Sequence, residues 1–292
     1  ETISNTCGQA ISSSGVWNMM QRLGERIAEE EQYAVKEMHA DRVQGEKVIP
    51  VLFEEMDGIW LHMQNSNHRK MKKQEMKVFT MYEGWDKEQK KRSSLVEKTM
   101  LAGMESSQIF HEKREALIEK KYNADEIQQR ILNGDGGSWI RETYDPDAIF
   151  QLDRYHIYQE ILRKISDRDA QREARKLFEE EKITEFLEFI LVYADSVETT
   201  DEKDKRSQKA RELYHYLNNN KDGLLPYQKQ GRKIPEPREG IVYKNMGVQE
   251  SQNCTVITMR MKHRRMRWSA KGANNLAKVL CCKENKELCS TI

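Results

Sequence analysis

Cysteine, proline and long apolar runs are all scarce in this 292-residue chain. Its five cysteines, Cys7, Cys254, Cys281, Cys282 and Cys289, are too few and too unevenly placed for a secreted disulfide framework, and they fit a reducing cytoplasm. Cys281-Cys282 with Cys289 lack the paired Cys-x-x-Cys spacing of a zinc site. No apolar run approaches the roughly 18 residues that span a membrane. The start, Glu1-Thr2-Ile3-Ser4-Asn5, has neither an initiator Met nor a basic-then-apolar signal pattern, and it reads as a fragment or a processed terminus. Three of the five prolines, Pro226, Pro235 and Pro237, fall within Leu225 to Gly240, which marks a linker.

Charge is abundant instead. Charged residues make up 33% of the chain and the mean hydropathy is -0.88, values of a soluble, helix-rich protein. The length allows a sizeable core, enough for one catalytic domain with an elaboration. A net charge of +1 conceals an asymmetry: Ser251 to Lys283 holds eight basic residues and no Asp or Glu, so that segment carries +8 and the remainder -7. Arg260, Lys262, Arg264, Arg265, Arg267 and Lys271 alternate with Met259, Met261, Met266 and Trp268. Such interleaving suits a surface that packs on one side and meets phosphate on the other, and a solvated helix face is the plainer alternative.

Hydrophobic periodicity divides the chain. Residues Ile11 to Arg26 form a Ser-capped helix with Val16, Met19, Met20 and Leu23 on one side; this is either part of a helix-turn-helix or a simple packing helix. A polar helix follows toward Lys47. Val48 to Met63, Met76 to Tyr82 and Ser94 to Ala102 read as strands joined by the basic loop Arg69 to Lys73 and by Gly84 to Arg92, and Glu105 to Tyr122 as an amphipathic helix. A fourth strand leads to Asp135, and Ala148 to Leu152 is a fifth. Charged helices run from Ile157 to about Asn220. The expected divisions are therefore a helical segment at 1–46, the first part of an α/β core at 47–156, a helical insertion with its linker at 157–240, the last core helix with the basic segment at 241–283, and a tail at 284–292. The order βββαβαβ is the ribonuclease-H-like arrangement, a mixed sheet in which the ends of the first and fourth strands lie side by side.

Two segments raise an aspartate out of apolar surroundings: Asp57 in VLFEEMDGIWLHM and Asp135 in RILNGDGGSWI. A carboxylate among Val, Leu, Phe, Ile and Trp must be protonated, hydrogen-bonded or neutralised by a cation. Asp-Gly is also a common hairpin turn, so a turn remains the alternative at either site. Ile49, Val51 and Phe53 share a strand face with Asp57. The loop at Asn133 to Gly137 lacks the Gly-Lys-Ser/Thr of a phosphate loop, and its acidic side chain favours a metal over a phosphate. Glu250, the only acid between Tyr243 and Thr258, precedes the basic segment on a helix and supplies a candidate third carboxylate. Two-metal phosphodiester sites use such acids to hold ions roughly 3.5–4 Å apart.

With these residues in place, the chain resembles bacterial insertion-sequence DDE transposases of the Lre-two type, distantly similar to Mutator-like transposases. The matching stretches are PVLFEEMDGIW at Pro50 to Trp60, EMKV and YEGW within Glu75 to Trp85, and ILNGDGGSWI at Ile131 to Ile140. Further matches are FQLDRYH at Phe150 to His156, DGLLPYQK at Asp222 to Lys229, and MGVQE, RMKH and WSAKGANNLAK within Met246 to Lys278. They extend over essentially the whole chain. The family usually carries an upstream DNA-binding region, relative to which this chain reads as N-terminally truncated.

The resemblance implies a ribonuclease-H-like core with a helical insertion before the last acid, and DNA strand cleavage and transfer that depend on Mg²⁺ or Mn²⁺. Asp57 would bridge two ions, while Asp135 and Glu250 would each complete one shell. Asp153 and His156 match an Asp-x-x-His element of Mutator-like enzymes; from the residues alone His156 is a packing or capping histidine. The basic residues Arg260 to Lys271 would meet phosphates, and Trp139 or Trp268 would stack on an unpaired base. Expected partners are double-stranded DNA, as transposon ends and target, and further copies of the chain on that DNA in the cytoplasm. No membrane partner is expected. The competing classes are a non-catalytic DNA-binding remnant and a resolvase-like metal nuclease.

Overall fold

The computed structural model describes residues 12–64, 72–88, 94–142, 145–201, 204–263 and 266–287. In chain order its first elements are α1 (Ser13–His39), β1 (Val51–His62), β2 (Lys73–Tyr82), β3 (Trp85–Asp86), β4 (Thr99–Gly103), α2 (Ser107–Lys121), β5 (Gln129–Gly134), α3 (Ser138–Arg141) and β6 (Ile149–Leu152). Then come α4 (Arg154–Lys164), α5 (Arg168–Glu179), α6 (Ile183–Ser196), α7 (Arg206–Asn219) and β7 (Ile241–Val242). Helix α8 runs through Gln249–Gln252, widens to a π-helical stretch at Asn253–Thr258 and closes with Met259–Met261, and α9 is Ala270–Glu284. The result is a mixed α/β protein. No helix among the described residues is long and apolar enough to cross a membrane.

Internal contacts divide the chain into two units. The first comprises Glu1–Gln128, Pro237–Tyr243 and Val248–Ile292, and the second Gln129–Glu236 with Lys244–Gly247.

In the first unit β2 pairs antiparallel with both β1 and β4. Ile59 and Leu61 of β1 and the following Met63, with Met76, Val78, Met100 and Ala102, pack beneath Val256, Ile257 and Met261 of α8 and Ala273, Ala277 and Cys281 of α9. Small side chains at four-residue spacing give α9 a face that can lie close to a sheet. The third strand begins at Thr99 rather than at Ser94, because a turn occupies Val96 and Glu97.

Helix α1 is one continuous element of 27 residues, capped by Ser12, whose hydroxyl accepts the Gly15 N–H. The two separate helices expected there merge because nothing between Arg26 and Glu29 stops the backbone ladder. Gly24 is forced by proximity: a Cβ there would lie 2.4 Å from the Asn275 carbonyl oxygen of α9. Met20, Leu23 and Ile27 pack against Val279 and Cys282, whereas Met19, expected on the same side, is 62% exposed. One side of the helix thus packs along α9.

Four charges hold α1, α2 and α9 together. The fully buried Lys278 ammonium lies 2.5 Å from Glu31 and 3.1 Å from Glu105, and Lys113 lies 2.9 Å and 2.6 Å from the same two carboxylates. Two cations facing two anions leave no net buried charge. Burial alone would push the Glu105 carboxyl upward, but the Lys278 and Lys113 charges outweigh it and hold the group at about 2. One of the eight cations of the basic segment is thus a core residue that meets no phosphate.

The second unit is built on a parallel pair, with Ile131 opposite Ile149 and Gly134 opposite Leu152. Helices α4 to α7 gather around Ile157, Ile161, Phe178, Phe186, Ile190 and Leu213. The segment after it is more than a linker. Leu224 and Tyr227 are buried, the Tyr227 N–H donates to Gln151, and the Gln230 amide donates to the Phe150 carbonyl of β6. Pro226 lies within this stretch, yet the Tyr227 N–H and the Gln230 amide satisfy groups of β6 that would otherwise be bare.

Glu105→Gln leaves two buried ammonium groups sharing one carboxylate, and should lower unfolding free energy by roughly 3 kcal/mol at pH 7. Because the folded Glu105 titrates below its ordinary 4.5, its contribution is complete above that pH and is lost as pH falls toward about 2. Urea unfolding across pH 2 to 7 should therefore show a shallower acid loss in the variant than in the parent.

Candidate functional site

Period two places Phe53, Glu55, Asp57 and Ile59 on one face of β1. Glu55 has no exposed surface, and Asp57 is 8% exposed. Glu55 accepts from the Tyr82 hydroxyl at 2.6 Å, the Val248 N–H at 3.2 Å and the Gln249 N–H at 3.0 Å. The last two are orphan donors at the start of α8, so the carboxylate caps that helix from outside and sits at the positive end of its dipole. Phe53 stacks on Tyr82 at 5.4 Å and meets Trp85 and Tyr243 edge-on, enclosing the capped end in aromatic rings.

One turn along α8, the buried Asn253 reaches the same strand. Its amide donates to Asp57 Oδ2 at 2.6 Å, and its carbonyl accepts from the Gln249 amide at 2.7 Å. Asp57 Oδ1 accepts from the Gly58 N–H at 2.7 Å. Glu250, between the two amides in sequence, is exposed. Expected from sequence were Asp57 and Glu250; Glu55, Gln249 and Asn253 were missed. The signal for Glu55 lay in the pattern that singled out Asp57, since it occupies the same face two residues earlier.

In the second unit Asp135 follows β5 in a loop braced on several sides. Its Oδ1 accepts from the Gly137 N–H at 2.8 Å, and its backbone carbonyl accepts from the Tyr216 hydroxyl of α7 at 2.8 Å. Burial, helped by nearby carboxylates with Asp135 first among them, pushes the Tyr216 pKa well up and keeps the hydroxyl a donor. Gly136 has φ +80°, and a Cβ there would meet the Asn220 side chain at 2.5 Å. Arg141 bonds Asn220 and Asp222 and lies over the Phe150 ring. Trp139 is partly buried beside this loop.

Asp153 is buried and caps α4: Oδ1 accepts the Tyr155 and His156 N–H groups, and Oδ2 accepts the Asn133 amide at 2.8 Å. His156 is half-buried in the first turn, edge-on to Tyr155. In the basic segment Arg260, Lys262 and Arg267 are exposed, Lys271 is exposed and pairs with Glu25 at 2.7 Å, and Arg264 and Arg265 lie outside the described residues. Trp268 is partly buried and packs against the first unit's core. Its indole N–H donates to the Met261 carbonyl at 2.7 Å, and its ring lies 6.1 Å from Trp17.

Among the described residues no three His, Cys, Asp or Glu side chains gather in a group that would hold a metal ion. The individual donors nevertheless fit a hard divalent cation in kind. Asp57 offers carboxylate oxygens whose orientation is fixed by a neighbouring amide, and the buried Gln249 Oε1 has no hydrogen-bond partner among the described residues.

Residues 1–290 match the model of an uncharacterised protein family, UPF0236, and the chain belongs to that family. It is similar to UPF0236 protein TTE2489 of Caldanaerobacter subterraneus subsp. tengcongensis, with 25% identity over 172 residues, which cover 58% of this chain and 34% of the relative. A second relative from that organism, UPF0236 protein TTE0402, shows 25% identity over 58% of this chain and 32% of its own length. A third, bearing eleven joined designations from TTE0033 to TTE2212, shows 26% identity over 58% of this chain and 33% of its own length. The aligned part of the chain thus spans about a third of the curated relatives it matches.

Glu55→Gln replaces the charge that three donors converge on. The expected loss is about 2 kcal/mol, in the range for hydrogen bonds to charged groups, with Tyr82→Phe costing about half as much. Guanidinium unfolding of both variants measures the difference, and equal, negligible losses would mean that the helix is seated by apolar packing alone.

Proposed function

We propose that this chain carries the ribonuclease-H-like catalytic core of a DDE-type DNA transposase, cleaving DNA strands and joining the liberated ends to a target. The observation that carries the proposal is Asp57, a carboxylate sunk into a strand and held in one orientation by an amide and a backbone N–H. An acid in a turn would face water. Asp135 adds support, because its loop is braced through its carbonyl, through a glycine with positive φ and through its own carboxylate. One relative bears eleven designations in a single organism, and repeated coding of one protein is what a self-copying element leaves behind.

In this proposal Asp57 holds Mg²⁺ or Mn²⁺ as the fixed ligand, and Asp135 and Glu250 join it. The bound ions would supply an activated water or 3′-hydroxyl and stabilise the leaving oxygen. Exposed Arg260, Lys262 and Arg267 meet backbone phosphates of double-stranded DNA, and His156 stands by as an orienting group. Further copies of the chain would assemble on the DNA in the cytoplasm. A non-catalytic DNA-binding role is the second possibility, favoured by the lack of a gathered three-acid group among the described residues.

Two measurements separate these. Asp57→Asn and Asp135→Asn should each abolish Mg²⁺-dependent cleavage and strand transfer on DNA carrying the element's ends, with melting temperature unchanged; cleavage that survives either substitution rejects the DDE assignment. DNA affinity should also fall log-linearly with salt, and replacing Arg260, Lys262, Arg264, Arg265 or Arg267 by Gln should reduce the slope by about 0.9 for each phosphate no longer neutralised. A slope that does not change would make these cations a solvated helix face.

A further inference from the structure

Asp57 can only accept hydrogen bonds when ionised, and this fixes the direction of everything behind it. The Asn253 Nδ2 group must face Asp57, so its Oδ1 faces Gln249, whose own Nε2 must then donate; Gln249 Oε1 is left as the terminal acceptor. Both amides are at least 97% buried, and both sit on the face of α8 that the Glu55 cap seats on β1. The π-helical stretch begins at Asn253 itself, and a π turn changes which side chains a helix directs to its neighbour.

We infer that Gln249 and Asn253 form an amide relay that positions the Asp57 carboxylate for cation binding, Asn253 directly and Gln249 through it. The inference rests on the proposed function, in which Asp57 is the fixed metal ligand. Asn253 is a positioning residue: it pins Oδ2 in one place, and with the Gly58 N–H on Oδ1 it fixes the plane of the carboxylate before any ion arrives. Loss of such outer partners typically weakens metal binding about 10- to 100-fold.

The test is Mn²⁺ titration of the full chain, followed by the electron paramagnetic resonance signal of the free and bound ion, alongside thermal melting. Asn253→Leu keeps the volume and removes the donor; Gln249→Met leaves Asn253 in place but unoriented; Asp57→Asn removes the ligand charge. Asn253→Leu should weaken Mn²⁺ binding about 10- to 100-fold and broaden the bound-ion spectrum, Gln249→Met should do so less, and Asn253→Ser, with a shorter donor, should recover part of the loss. Wild-type affinity and spectrum in folded Asn253→Leu would overturn the relay while leaving the proposed function standing. Should Asn253→Leu fail to fold, unchanged binding in both Gln249→Met and Asn253→Ser overturns it equally. If Asp57→Asn binds Mn²⁺ as the parent does, or the parent takes up none, the proposed function itself fails.

Discussion

Burying a carboxylate forfeits several kcal/mol of hydration unless donors replace the lost water. At Glu55 the replacements come from a tyrosine hydroxyl on the neighbouring strand and from two backbone N–H groups at the start of α8. The need is mutual, since those helix donors have no partner inside their own helix. Strand and helix are therefore joined by groups that would each be costly to leave alone. The position of Asn253 over Asp57, the apolar seat of Val256 and Ile257, and the run of the basic segment beyond all start from this joint.

The two units hold their aspartates by different means. In the first, Asp57 lies within a strand, and side-chain amides from a distant part of the sequence reach it. In the second, Asp135 lies just past a strand, and its loop is fixed by its own backbone, by Tyr216 and by Asn220, which belong to the end of the helical insertion. The insertion is thus part of what shapes the loop, and changes in α7 reach Asp135 through one hydroxyl.

Period-two and helical patterns made β1, β2, α2, the fifth strand and the charged insertion legible from sequence, because burial alone decides those patterns. The Asp-Gly segments stood out for the same reason. Glu55 did not, since one more glutamate in a strand reads as an outward-facing polar residue until Val248 and Gln249, almost 200 positions later, are known to lie against it. Composition does not show where Lys278 and Trp268 are held: both stand among cations, yet Glu31 pairs with the first from 247 residues away and the Met261 carbonyl accepts from the indole of the second. The Asn253–Asp57 bond and the π turn depend on backbone pitch, and residue types do not specify where a helix will widen. Tyr227 was hidden by its neighbours Pro226, Pro235 and Pro237, which mark turns without showing what the intervening side chains bury.

The widened turn at Asn253–Thr258 has one more consequence. An α-helix advances about 100° per residue, so the extra residue accommodated by a π bulge offsets everything on one side of it by about that angle. Loss of a single codon within this stretch would let the backbone relax to ordinary pitch. Val256, Ile257 and Met261 could keep their apolar seat while the Gln249 end swung round and took its amide away from β1. One deletion would thus cost both the Glu55 cap and the Asn253–Asp57 bond while leaving the apolar seat in place, so the chain length at this one turn sets whether α8 meets β1 through its polar groups.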